Sequence, residues 1–177
     1  MKIGLFLSQH ARRVPDKPAV ILGERMLTFG MIDEQSNRMA NALLAKGLKQ
    51  GDRVALYVGN TIELVVAVAA LWKAGALPIP ITTWTVEREL AFVVDDAKPF
   101  AILYGTEQAE QVASANLPDD VLHIVTEDKD HAISLASLIE TDDDTAPPVL
   151  PPEPDDAMIS YTSGTTGTPK GAILTHA

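Results

Sequence analysis

Between Pro18 and Val125 short apolar runs of strand character alternate with longer segments of helical repeat, which limits the possible folds more than any other feature of the chain. Ala19–Leu22 and Met26–Phe29 flank Gly23-Glu24-Arg25, which predicts a hairpin with a three-residue loop. Thr28 is placed to cap a helix running through Met31, Met39, Leu43 and Leu44, with Gly47 as its stop. Gly51-Asp52 then turns into the strand RVALYV, and Asn60 or Thr61 caps an apolar helix ending near Gly75. ALPIPI resumes extended structure, because Pro78 and Pro80 hold the residues before them out of the helical region. Thr85 is expected to cap a helix through Asp96, with Glu87 and Glu89 near the positive end of its dipole. FAILY, a helix near Glu107 to Ala115, VLHIV and finally AMISY (Ala157–Tyr161) as the last strand continue the series. Strands alternating with helices of this length pair in parallel through crossovers. The expected class is therefore α/β, a mainly parallel sheet with helices on both faces. Strands rich in Val, Ile, Leu and Ala without strict alternation fit a sheet covered on both sides.

Several classes of function are disfavoured by bulk properties. A formal charge of −10 opposes binding to nucleic acid, whose phosphates reward basic surfaces. With no cysteine there is no disulfide, thiolate metal site or thiol nucleophile. The histidines His10, His123, His131 and His176 share no metal-ligand spacing, and no metal ligand is assigned. The amino-terminal stretch predicts a short amphipathic helix, because its apolar run Ile3–Leu7 is too short for an export signal. The longest apolar segment, Ile62–Trp72, is about half a membrane span and contains Glu63, so a buried helix and a cytoplasmic protein are expected.

Much of the negative charge lies in ETDDDTAPPVLPPEPDD, Glu140 to Asp156, which holds seven acids, five prolines and no base. Proline removes backbone donors and the acids repel, so this stretch is expected to be a connector rather than a helix or a central strand. Asp142–Asp144 is expected to be a solvated loop, since consecutive acids point in different directions.

The connector delivers the chain to AMISY and then to TSGTTGTPKG, after which Thr175 is placed to cap a new helix. Glycines let a main chain curl with its N–H groups inward, which makes a nest for anionic oxygens. Thr162, Ser163, Thr165 and Thr166 add hydroxyl donors and Lys170 adds one compact positive charge. Together these suit a polyphosphate. In open α/β sheets such loops leave the carboxyl ends of strands, where this one is expected to lie. The Walker pattern G-x-x-x-x-G-K-S/T fails here, because counting from Gly164 puts Pro169 before Lys170 and Gly171 after it. A dinucleotide G-x-G-x-x-G does not occur.

Tyr161 to Gly171 resembles the phosphate-binding signature of the adenylate-forming superfamily, Y/F-T-S-G-S/T-T-G-x-P-K-G, at every position. LWKAGALPIPI (Leu71–Ile81), LTFGMIDEQSNRMANAL (Leu27–Leu43) and GDRVALYVGNTIE are similar to further segments of that family. One departure is Met31, which sits where a glutamate usually completes a capping box. The resemblance implies that residues 1–177 form a single partial domain, the amino-terminal part of an AMP-binding domain whose carboxy-terminal domain is absent. It implies an ATP-dependent carboxylate–CoA ligase of fatty-acyl-CoA synthetase type, with ATP and a carboxylic acid, expected to be a fatty acid, as substrates. Mg2+ would be the cofactor and coenzyme A the co-substrate of the whole enzyme. The alternative is a stand-alone nucleotide- or protein-binding module that keeps the fold without catalysis. Thr162, Ser163, Gly164, Thr165, Thr166 and Gly167 would wrap the β- and γ-phosphates and Lys170 would reach them as a charge. Pro169 and Gly171 would shape the loop, and no catalytic residue is assigned within the chain, which by itself is expected to be inactive. His176 is expected to be structural, and Trp72 and Trp84 to serve packing. An incomplete sheet is expected to self-associate, most simply as a twofold dimer.

Overall fold

The computed structural model describes residues 3–127, 132–147, 156–162 and 169–176. In chain order these form α1 (Ile3–Arg13), β1 (Pro18–Leu22), β2 (Arg25–Thr28), α2 (Phe29–Ala45) and β3 (Arg53–Tyr57). There follow α3 (Ile62–Lys73), β4 (Leu77–Pro80), α4 (Glu87–Ala97), β5 (Ala101–Tyr104), α5 (Ala109–Ser114) and β6 (Leu122–Val125). The last described elements are β7 (Ile133–Ser134), α6 (Leu135–Ile139), β8 (Asp156–Thr162) and β9 (Lys170–Thr175). A 3-10 turn, Thr106–Gln108, leads into α5, so the helix expected from Glu107 is split in two.

The centre is a five-stranded parallel sheet in the order β4-β3-β5-β6-β7. Successive residues of β3 face opposite sides. Val54 and Leu56 join Met39 and Leu43 of α2 and Ala67 and Leu71 of α3 in one core. Ala55 and Tyr57 join Leu90, Val93 and Val94 of α4 in the other. The α/β class with helices on both faces is thus the observed one. The helix Ile62–Lys73 is buried on much of its surface, as its apolar sequence implies. Among the described residues no helix is long and apolar enough to cross a membrane.

Local sequence explains most boundaries. Thr28 and Thr61 each accept the N–H three residues on, from Met31 and Leu64, both at 3.2 Å. Thr85 does not cap α4, contrary to expectation. The capping position is Val86, with extended backbone (φ −79°, ψ 159°) and no side-chain bond to the helix. Thr85 lies one residue too early, is buried, and uses its carbonyl to accept the Tyr57 hydroxyl at 2.7 Å. The first hairpin also closes more tightly than expected. Leu22 pairs directly with Arg25, leaving the two-residue loop Gly23-Glu24. Gly23 has φ +60°, the positive value that a turn led by glycine requires.

At the other end of α4, Lys98 adopts a left-handed conformation (φ 46°). Arg53 stabilises this exit, donating to the carbonyls of Ala97 and Lys98, both at 2.9 Å.

The prolines of β4 decide how the sheet ends. Leu77 and Ile81 donate their N–H groups to Asp52 and Leu56 on the β3 side. Pro78 and Pro80 therefore occupy the outward-facing positions, where they have no N–H to offer. This edge cannot recruit a further strand in the ordinary way.

Two substitutions separate these capping states. Thr61→Ala is expected to cost about 1 kcal/mol, whereas Val86→Ser should stabilise α4 by about 0.5–1 kcal/mol. Urea unfolding midpoints measure both, and a loss on Val86→Ser would contradict the assigned start of α4.

Candidate functional site

The glycine- and threonine-rich stretch is carried by a β-hairpin outside the parallel sheet. β8 and β9 pair antiparallel, with Thr162 opposite Lys170, Tyr161 opposite Gly171 and Ile159 opposite Ile173. Of the seven residues expected to grip phosphates, Thr162 and Lys170 are described, and the hairpin brings them face to face, both exposed. Ser163, Gly164, Thr165, Thr166 and Gly167 lie outside the described residues.

Two expectations are corrected here. AMISY is neither the last strand nor a member of the parallel sheet, because its hydrogen-bonding partner is β9. Thr175 ends β9, and the helix expected after it lies outside the described residues. The loop does not leave the carboxyl end of a parallel strand. β8 is held at the other end of the sheet, by the last turns of α3 and α4, which precede the amino ends of β4 and β5. Trp72 Nε1–H donates to the Ala157 carbonyl at 2.8 Å, and the Tyr161 hydroxyl donates to Asp96 Oδ2 at 2.5 Å. The proline-blunted edge of β4 accounts for this arrangement. β8 packs beside it and takes its backbone partners from β9.

Gly171 is required by this packing. A Cβ there would lie 3.1 Å from Ile159 Cγ2 and 3.1 Å from Tyr161 Cζ, so the Tyr161 ring occupies the space a side chain would take. Burial, and then the hydrogen bond to and charge of Asp96, push the Tyr161 hydroxyl well above its usual range. His176 sets its ring edge-on to Trp72, with centroids 6.2 Å apart, in line with a structural part for both residues. Trp84 differs. It is 88% exposed, so the packing expected of it is not found among the described residues.

The carboxyl ends of the parallel strands form a separate crevice of about 240 Å³, where the strand order reverses between β3 and β5. Its walls include Thr61, Thr83, Thr106, Thr126, Glu107 and Glu127, with no lysine or arginine among the described residues. Among the described residues no group of three or more His, Asp or Glu could hold a metal ion.

Sequence reasoning missed β7, α6 and β9, together with the Tyr161–Asp96 bond. Ser134 three residues before Ser137 was a capping signal, and its Oγ accepts the Ser137 N–H at 3.2 Å. Gly171-Ala-Ile-Leu had apolar strand character. Nothing in the sequence pairs Tyr161 with a residue 65 positions away.

The described residues define an α/β protein, a doubly wound parallel sheet beside a hairpin that carries Lys170. Within it, residues 7–177 match the family model described as AMP-binding enzyme, and the chain belongs to that family. A medium/long-chain-fatty-acid–CoA/3-oxocholest-4-en-26-oate–CoA ligase of Mycobacterium marinum is 35% identical over 184 residues, covering 96% of this chain and 33% of the relative. Tyrocidine synthase 3 of Brevibacillus parabrevis is 32% identical over 170 residues, covering 96% of this chain and 2% of its own length. The solved, inhibitor-bound N-terminal domain of FACL13 from Mycobacterium tuberculosis superposes with a TM-score of 0.86 at 31% identity, covering 99% of this chain and 45% of that one. The chain thus spans about a third of the length of the ligase relative.

The tyrosine chemistry sets an alkaline limit. The hydroxyls of Tyr57, Tyr104 and Tyr161 are all raised, chiefly by burial. The folded state therefore keeps protons that the unfolded chain releases near pH 10. Their stabilisation is complete below pH 10 and declines as pH rises from there towards the folded values. Asp96→Asn removes the charge that holds the Tyr161 proton. Ultraviolet difference titration should then show one tyrosine ionising at lower pH than in the unsubstituted protein. An unchanged titration would mean that Asp96 does not act on Tyr161.

Proposed function

We propose that the chain is the amino-terminal portion of an ATP-dependent carboxylate–CoA ligase, with a fatty acid as the carboxylate and the cytoplasm as its compartment. The observation that carries this is the hairpin. It sets Thr162 opposite Lys170 at the mouth of a segment whose eleven residues, Tyr161–Gly171, fit the phosphate-binding signature throughout. In the proposed reaction ATP and the carboxylate give acyl-adenylate and pyrophosphate, and the acyl group then passes to the thiol of coenzyme A. Thr162, Ser163, Gly164, Thr165, Thr166 and Gly167 would supply hydroxyl and backbone donors to the β- and γ-phosphates. Lys170 would neutralise charge that builds on the leaving pyrophosphate.

Fatty acid is preferred to an amino acid because the matched ligase aligns over a third of its length and is named for fatty-acyl substrates. Mg2+ belongs to this chemistry as a partner of the ATP phosphates. The described residues offer it no ligand set, and no step is assigned to it here. The 177 residues by themselves are not expected to catalyse the reaction. Any self-association would use exposed apolar side chains such as Ile173 and Leu174 of β9, since the β4 edge lacks donors.

Lys170→Ala in the natural enzyme should slow carboxylate-dependent ATP–pyrophosphate exchange by roughly 10²-fold or more. Thioester formation from pre-made acyl-adenylate should change far less, because pyrophosphate has already left. Equal losses in the two half-reactions would overturn the assignment of Lys170 to the leaving group.

A further inference from the structure

The LWKAGA segment enters none of the phosphate chemistry, yet it contains a nearly fully buried cation. Lys73 is 3% exposed, and its ammonium group donates three hydrogen bonds. They run to the Asp33 carbonyl at 3.0 Å, Asp33 Oδ1 at 2.6 Å and Asn37 Oδ1 at 2.7 Å. An ammonium has three donors and no acceptor, so all its capacity is used. Asp33 Oδ1 also accepts Ser8 Oγ–H at 2.7 Å, which brings α1 into the same network.

The consequence lies at Asn37. Because Lys73 can only donate, the amide must turn its oxygen towards Lys73 and its nitrogen away. That nitrogen donates to the Asp144 carbonyl at 2.9 Å. One turn further along α2, Asn41 Nδ2 donates to the carbonyls of Asp143 and Thr145 at 3.2 and 3.0 Å. The acidic segment is thus held at its start by backbone carbonyls, which bind amide donors whatever the charge on the neighbouring carboxylates. Its far side is held by the residue beside Lys73, since Trp72 Nε1–H donates to Ala157. Consecutive residues in the last turn of α3 therefore reach both flanks of the acidic, proline-rich stretch.

We propose that Trp72 and Lys73 form a two-point clamp on this segment, Lys73 acting through Asn37, and that the clamp sets where β8 begins and hence where Thr162 and Lys170 stand. Lys73 and Trp72 are positioning residues in this proposal. The placement of the segment follows from geometry alone, while the effect on ATP rests on the ligase reading above.

Two substitutions remove donors while keeping the packing. Asn37→Asp retains an acceptor for Lys73 and loses the donor to Asp144. Trp72→Phe retains an aromatic ring beside His176 and loses the donor to Ala157. Lys73→Met removes the cation, and the two milder variants keep the test informative if that protein fails to fold. Hydrogen exchange is measured by mass spectrometry on the natural polypeptide that carries these residues. Peptides covering 140–147 should exchange about tenfold faster in Asn37→Asp, and those covering 156–162 about tenfold faster in Trp72→Phe, the size expected for one lost hydrogen bond. Peptides covering β3 should be unchanged. In the same variants the KM for ATP should rise severalfold with little change in kcat, a split that general destabilisation would not produce. Unchanged exchange at both flanks, or an equal increase in β3, would overturn the clamp. Faster exchange at the flanks with no ligase activity in the unsubstituted protein would uphold the clamp's hold on the segment and overturn the ligase reading.

Discussion

Everything in this chain is arranged around β3. All its residues after Arg53 are buried, and it is paired in parallel on both sides, with β4 and β5. A strand with both edges and both faces covered cannot shift register by one residue without exchanging its two cores. Val54 and Leu56 would then have to fill the space of Ala55 and Tyr57, and Tyr57 would lose the carbonyl that accepts its hydroxyl. The strand thereby fixes the heights of α2 and α3 on one side and of α4 on the other. Arg53 at its start extends that control by holding the carboxyl end of α4 through two carbonyls.

The hairpin of β8 and β9 forms a sheet of its own beside this scaffold. Parallel sheets commonly bind ligands where the strand order reverses, and the crevice at that point is present here. Its described walls are threonines and carboxylates, whereas Lys170 lies on a hairpin that, among the described residues, shares no backbone hydrogen bond with the parallel sheet. Pro78 and Pro80 make that separation physical. They remove the outward donors of β4, so β8 lies beside the sheet and takes its backbone partners from β9.

Much of this was legible in the residues themselves. The parallel α/β class, the two threonine caps and the buried helix Ile62–Lys73 follow from local composition, which the tertiary structure leaves in force. The failures share a cause. Thr85 is a good capping residue by type, but it is buried and α4 begins one residue later, with Val86 at the capping position. Trp84 is apolar enough for a core, but it lies in the exposed connection between β4 and α4. β9 escaped notice because its side chains are all exposed, which leaves no alternation of apolar and polar residues to betray a strand. The signature was legible as residue types and not as place. The donors and the charge can be counted from residue types, but the hairpin depends on a register that only the assembled chain displays.

That difference has an energetic side. A strand inside a ladder is held by a hydrogen bond at about every residue. The hairpin is joined to the helices of the scaffold by two described side-chain bonds, Trp72 to Ala157 and Tyr161 to Asp96, with the packing around them. Each such bond contributes about 1 kcal/mol net, so their sum is small beside the energy that holds β3. The attachment of β8 to the helices is therefore separate from the ladder that pairs β3, β4 and β5. Gly171 sharpens the point. It leaves room for the Tyr161 ring directly across the hairpin, so the glycine that flanks Lys170 also shapes the contact that holds β8 to α4. Part of the motif therefore serves attachment, and the bond from Tyr161 to Asp96 is where the loop's position and the scaffold meet.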